Sequence, residues 1–222
     1  MPNEPYTHFI SLPITCVAVQ RNIKSFQSRA RRSAGLQNAA DSSFVNPGSL
    51  HITLGMLRLK TPFEVRRASE LLMSLSNGIN GILGGRALKV HVYGLETMEE
   101  DPSAARILYT RVEDIETPER LNRMCAFVRE AFKDAGYIDE ERELKLHMTV
   151  VRANKPSRGA GPQNAASGNA RRPRFTVDAR ELLQESGQAT FGTCQLEQIQ
   201  IARRFLFTAS GAYANDGILS LP

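Results

Sequence analysis

The chain contains nearly the same pentapeptide twice. Leu50-His51-Ile52-Thr53-Leu54 and Leu146-His147-Met148-Thr149-Val150 both read apolar, His, apolar, Thr, apolar. In an extended strand successive side chains point to opposite faces. Each histidine therefore shares a face with its threonine, while the flanking apolar residues face the other way, onto helices. A polar pair on one face of a core strand is costly unless that face lines an open cleft. The copies lie 96 positions apart, so the pattern asks for two similar halves whose polar faces meet.

The rest of the chain supplies elements for such halves. Thr7 to Thr15, Leu50 to Leu59, Leu88 to Leu95, Arg106 to Val112 and Glu143 to Arg152 read as strands. Further strands are expected near Gln195 to Arg203 and Ile218 to Leu221. Helical spacing of apolar residues marks Val19 to about Arg32, the stretch after Pro62, Thr117 to Gly136 and a short run near Asp178 to Glu185. Asn77 to Gly85 reads as a glycine-punctuated turn. Asn154 to Arg174 is poor in apolar residues and rich in Gly, Pro, Asn, Ala and Arg, which predicts a mobile loop. This order favours antiparallel sheet with outer helices, and the glycine fingerprints of the parallel nucleotide-binding folds are absent.

Composition narrows the setting. A length of 222 residues suits a single domain of two lobes over residues 1–222. No run approaches the ~18 apolar residues of a membrane span, and no secretory signal is visible at the start. The three cysteines, Cys16, Cys125 and Cys194, are scattered, which argues for a reducing compartment and against a disulfide framework or a zinc site. An intracellular protein of the nucleus or cytoplasm, not bound to membrane, is expected. Of 28 basic residues 22 are arginine, and the net charge is +5. Arginine's fork suits phosphate, although base composition of a genome produces the same bias.

Two imidazoles flanking one cleft suit phosphodiester cleavage. With an unperturbed pKa near 6.5, one ring can be neutral and take a proton while the other delivers one. Thr53 and Thr149, about 7 Å along the strand from their histidines at ~3.3 Å per residue, can bond non-bridging oxygens. The arrangement requires neither metal nor cofactor, and no cluster of Asp, Glu or Cys accompanies the histidines. The bland reading of each motif is a satisfied polar pair in the core. For His8, His91 and Cys125 the structural reading is preferred, and the acidic runs Glu99-Glu100-Asp101 and Asp139-Glu140-Glu141 read as solvated turns. Phe9 and Phe205 can stack a base, with core packing as the preferred alternative.

The paired motifs resemble the two-histidine phosphoesterase superfamily. Within it the chain is similar to phosphoesterase domains found in a transcription-cointegrator subunit and in an A-kinase anchoring protein. The resemblance runs through Phe9-Ile10-Ser11-Leu12-Pro13, Phe44-Val45-Asn46-Pro47, Gly84-Gly85-Arg86-Ala87-Leu88, Asp178-Ala179-Arg180-Glu181-Leu182-Leu183 and Gly211-Ala212-Tyr213-Ala214. It implies an α+β, bilobal fold: two antiparallel sheets with outer helices, related by pseudo-twofold symmetry around a central cleft. It implies His51 and His147 as catalytic residues and Thr53 and Thr149 as phosphate ligands, in a monomer acting on RNA or nucleotide. The linkage is left open among 2′,3′-cyclic, 2′-5′ and 3′-5′. The alternative is an RNA- or nucleotide-binding subunit of a transcription or repair assembly with little turnover. The cointegrator subunit carries a KH domain before its phosphoesterase domain, for which 222 residues leave no room, so a stand-alone relative or a trimmed chain is expected.

Overall fold

Strand β1 (His8–Pro13) is buried along nearly its whole length, because it lies inside the sheet and not at its rim. The computed structural model describes residues 4–141, 143–154 and 175–222. The expected loop at 154–174 falls, but for Asn154, outside the described residues.

After β1 come α1 (Val17–Ala30), β2 (His51–Leu57), α2 (Pro62–Ser74), α3 (Ser76–Leu83), β3 (Leu88–Thr97), β4 (Ile107–Asp114) and α4 (Pro118–Asp134). Then follow β5 (Met148–Arg152), α5 (Arg180–Ser186), β6 (Thr190–Leu196), β7 (Gln198–Phe207) and β8 (Tyr213–Ser220). The described strands form one antiparallel sheet of eight, ordered β6-β3-β4-β5-β2-β1-β7-β8. The two expected sheets are the four-stranded halves of this sheet. They join through a single register pair of β2 and β5, Ile52 with Met148. The sequence β1-α1-β2 recurs as β4-α4-β5, so each half contributes one motif strand to the junction.

Helices α1, α2, α4 and α5 form where their sequences predict. In α1 the buried residues Val19, Ile23, Phe26, Gln27 and Ala30 repeat at three- and four-residue spacing. Helix α2 starts at Pro62 behind Thr61, whose hydroxyl accepts from the Glu64 amide while Glu64 reaches back to the Thr61 amide. Thr117 caps nothing with its side chain. The start of α4 is held instead by Arg120, whose Nε donates to Asp114 Oδ2 at 2.7 Å in a buried pair. Four expectations change. Residues 76–83, read as a turn, form α3, because Ile79 and Leu83 bury one face of it. The strand expected over 195–203 is two strands turning at Glu197, and β8 begins at Tyr213, five residues early. The motif strand expected from Glu143 pairs with β4 only from Met148 onward among the described residues, so β5 is short.

Helices α1 and α4 cross between the halves. Phe26 of α1 meets Phe191 of β6 edge-on, with ring centroids 5.6 Å apart. Gln27, almost fully buried, donates from Nε2 to the Val45 carbonyl at 2.7 Å and to the Val150 carbonyl of β5 at 3.0 Å. Arg129 of α4, equally buried, donates from Nη1 to the Leu54 carbonyl of β2 at 2.8 Å. Each helix thus follows one half in sequence and grips the motif strand of the other. Among the described residues no helix is long and apolar enough to cross a membrane.

Candidate active site

The site is built on the β2–β5 junction. Extending the Ile52–Met148 register by one residue either way sets His51 opposite Thr149 and Thr53 opposite His147. The two histidines are then diagonal neighbours, ~7–8 Å apart between backbones. All four side chains are half-buried, and the alternating residues Ile52, Leu54, Met148 and Val150 are buried on the other face. The motif reading of one polar and one apolar face holds at both strands.

Both rings are tied in the same way. His51 Nδ1 lies 2.8 Å from the Ser49 carbonyl and His147 Nδ1 lies 2.7 Å from the Lys145 carbonyl. A carbonyl only accepts, so each Nδ1 carries a proton and Nε2 is the ring nitrogen that gains or loses one. The turn that presents Ser49 is itself held. The Asn46 side chain accepts from the Gly48 amide at 2.9 Å, and the Ser49 hydroxyl donates to the Asn46 carbonyl at 3.0 Å. Aromatic rings back both histidines: Phe9 at 4.9 Å and Tyr213 at 5.3 Å from His51, Tyr109 at 5.4 Å from His147. The Tyr109 hydroxyl is engaged by Glu96.

His51 is held well below the ordinary imidazole range, at about 4. Burial is the main cause. The Ser49 carbonyl opposes it, while the charges of Arg152 and His147 reinforce it. At neutral pH His51 is therefore neutral, with a lone pair on Nε2. Neither the Thr53 nor the Thr149 hydroxyl bonds to any described residue, and both stand on the cleft face.

Strict alternation puts Arg152 on the far face from His147, and sequence reasoning passed over it. A β-bulge reverses this. Thr149 pairs with Tyr109 but Val151 with Leu108, so Val150 is an extra residue and Arg152, paired with Ile107, returns to the face of Thr149. Its charge adds to the burial that lowers His51 and opposes the burial that raises Tyr213. Strand β2 bulges at the equivalent Leu54, where Thr53 pairs with Ser11 and Gly55 with Ile10. There the residue turned to the cleft face is Met56, opposite Phe9. The halves match in backbone and differ in charge. A basic residue five positions after the second histidine was the available signal, but only the bulge gives it meaning.

The remaining candidates separate. Phe9 is 4% exposed, with its ring between His51 and Tyr213. It backs the histidine, in keeping with the packing reading preferred for it over base stacking. Phe205 is 75% exposed in a bulge of β7, with φ +65° and the Arg204 guanidinium 4.4 Å from its ring centre. The β7–β8 hairpin reaches His51 through Tyr213, which the reading of Phe205 missed. His8 has both ring nitrogens occupied, Nδ1 by the Thr7 hydroxyl at 2.8 Å and Nε2 by Asp216 at 2.9 Å. His91 stacks on Tyr93 and meets Thr190 at 2.7 Å. Cys125 is fully buried, and burial pushes its thiol up. Among the described residues no group of three His, Cys, Asp or Glu side chains is placed to hold a metal ion.

A duplicated β-α-β frame bringing two His-x-Thr strands edge to edge defines a two-histidine phosphoesterase fold. Solved structures agree: protein TT0787 of Thermus thermophilus superposes with a TM-score of 0.61 at 16% identity, covering 97% of each chain. LigT of E. coli complexed with 3′-AMP superposes with a TM-score of 0.59 at 14% identity, covering 98% of this chain and 99% of that one. The chain belongs to the AKAP7 2′5′ RNA ligase-like domain family, whose model matches residues 6–220. It is 33% identical over 222 residues to activating signal cointegrator 1 complex subunit 1 of Mus musculus, covering 96% of this chain and 62% of that protein. It is 24% identical over 149 residues to A-kinase anchor protein 7 isoform gamma of Homo sapiens, covering 67% and 40% respectively. The chain thus spans less than two thirds of either relative.

Proposed function

We propose that the cleft hydrolyses phosphodiesters of RNA or oligonucleotides without a metal ion, with His51 as general base and His147 as general acid. The observation that carries this is the matched pair of imidazoles across β2–β5, each fixed through Nδ1 by a backbone carbonyl so that Nε2 is the titrating nitrogen. The depressed pKa of His51 favours it over His147 as the base. On a 2′,3′-cyclic phosphate, water gives a proton to His51 Nε2 as its oxygen bonds to phosphorus. The bond from phosphorus to one ribose oxygen breaks, and that oxygen takes the proton of His147 Nε2. Arg152, Thr53 and Thr149 hold the non-bridging oxygens. Each acid–base role contributes roughly 100- to 10,000-fold. Phe205 is an exposed ring for a more distant base. LigT structures with 3′-AMP, ATP and phosphate are in keeping with a nucleotide ligand.

The test is turnover in EDTA of 2′,3′-cyclic nucleotides, a 2′-5′ oligoadenylate and a short 3′-5′ RNA, with His51→Ala and His147→Ala alongside. Turnover of one substrate that both substitutions abolish, with folding intact, establishes the mechanism and the linkage. Activity that EDTA removes overturns it.

A second reading draws on the relative that is a complex subunit: a monomeric module of the nucleus or cytoplasm that binds RNA within an assembly and turns over slowly. Tight oligonucleotide binding with no turnover of any substrate selects it.

A further inference from the structure

On the β1–β7–β8 side of β2, away from β5, a cavity of about 260 Å³ opens beside His51. Three carboxamides, Gln198, Gln200 and Asn215, line it together with Ser210, Tyr213 and His51. Gln200 is only 5% exposed, and its amide bonds to no described residue; its polar atoms are not fully enclosed, as the Ser11 hydroxyl is, so they keep their opening onto the cavity. The amides of Gln198 and Asn215 likewise bond to no described residue.

The strand pairing aims these groups. Gln200 pairs with Ser11 of β1, which pairs in turn with Thr53, so all three share the cleft face. The Ser11 hydroxyl is buried and also lacks a partner among the described residues. A bulge in β8 lets Ile201 pair with Gly217 and Ala202 with Asn215, and Asp216 is the extra residue. Asn215 thereby joins the cleft face, opposite the residue that pairs with Phe9. Asp216 is turned away to hold His8 and Arg203. The lining contains no Lys, Arg, Asp or Glu among the described residues.

We propose that this cavity is a nucleobase site, receiving the base of the nucleotide whose phosphate lies between the histidines. The proposal rests on the phosphodiesterase reading above. A neutral wall rich in amides does not suit a phosphate, for which Arg152 stands on the cleft face of β5. A carboxamide offers one donor beside one acceptor, the pattern that base edges present. Tyr213 supplies an apolar wall at the mouth. The volume falls just below the ~300–1,000 Å³ of sites for larger ligands, in keeping with one base.

Calorimetry with 3′-AMP, 3′-UMP and ribose 3-phosphate, which lacks a base, tests the site in wild type, Gln200→Leu and Asn215→Ala. Asn215 is exposed, so its variant folds even where Gln200→Leu does not. Wild type is expected to bind at least one nucleotide about tenfold more tightly than ribose phosphate. Both variants should lose that advantage while keeping the affinity for ribose phosphate. Equal affinity for all three ligands in wild type, no binding of any of them, or unchanged preference in the variants overturns the proposal. Turnover of cyclic nucleotides, measured in parallel, reports on the catalytic reading separately. Base-dependent binding without turnover keeps the base site and removes the mechanism, whereas turnover indifferent to the base and to Gln200 does the reverse.

Discussion

Arg129 Nη1 on α4 donates to the Leu54 carbonyl at 2.8 Å, at the bulge three residues after His51. Gln27 makes the matching bond from α1 to Val150, at the bulge three residues after His147. A bulge removes a carbonyl from regular pairing, and a buried carbonyl without a partner is costly. The helices supply the partner, and so the cores of the two halves hold the bends that aim the motifs.

Arg129→Met should therefore destabilise the fold by about 1–3 kcal/mol for each carbonyl it strands. Urea unfolding gives the value. Gln27→Leu should behave alike, and a change below about 0.5 kcal/mol in both would show the bulges to be self-supporting.

Thr53→Val and Thr149→Val are expected to separate function from stability. Neither hydroxyl bonds to a described residue, so thermal unfolding should change little, within about 0.5 kcal/mol. The specificity constant kcat/KM should fall about tenfold or more for each, as a hydrogen bond to a charged phosphate is lost.

The pH profile should be bell-shaped. In the proposed mechanism His51 takes a proton only when neutral, so kcat/KM in the wild type should rise with pH through about 4. Arg152 is one of the charges holding that value down. Arg152→Met should move this limb upward, burial still holding it below the ordinary imidazole range, and weaken phosphate binding. An acid limb that stays in place would put the guanidinium outside the cleft.

Stability should respond to the same group. Below pH 6.5 the unfolded chain takes up a proton on residue 51 that the folded chain refuses until about 4. The stability of the wild type is then lost progressively as pH falls between those values. His51→Asn should flatten that slope, measured by urea unfolding at about pH 7, 5.5 and 4.5.

Much of this arrangement is legible locally. Period-two alternation in Leu50–Leu54 and Leu146–Val150 suffices to set His beside Thr and apolar residues behind, because a strand's geometry depends on no distant partner. Helices α1, α2 and α4 follow from apolar spacing and from Pro62 and Pro118. The repeat of the motif was enough to expect two halves. The break within 195–203 is not legible because β6 and β7 are separated by Glu197 alone, and they part only by pairing in opposite halves of the sheet, β6 with β3 and β7 with β1 and β8. Helix α3 was missed because Gly78 and Gly81 argue for a turn, and only burial of Ile79 and Leu83 outweighs them.

The tertiary structure alone decided the chemistry's finer parts. Sequence shows two equivalent histidines, and burial holds His51 well below the ordinary imidazole range, since desolvation depends on what surrounds a ring and not on its neighbours in the chain. Bulges at Leu54, Val150 and Asp216 shift the side-chain alternation by one, bringing Arg152 and Asn215 to the cleft face against their parity. Such a shift is set by pairing between strands and by Arg129 and Gln27 reaching across from the opposite half. Those are long-range interactions, whose free energy exists only once both halves are assembled.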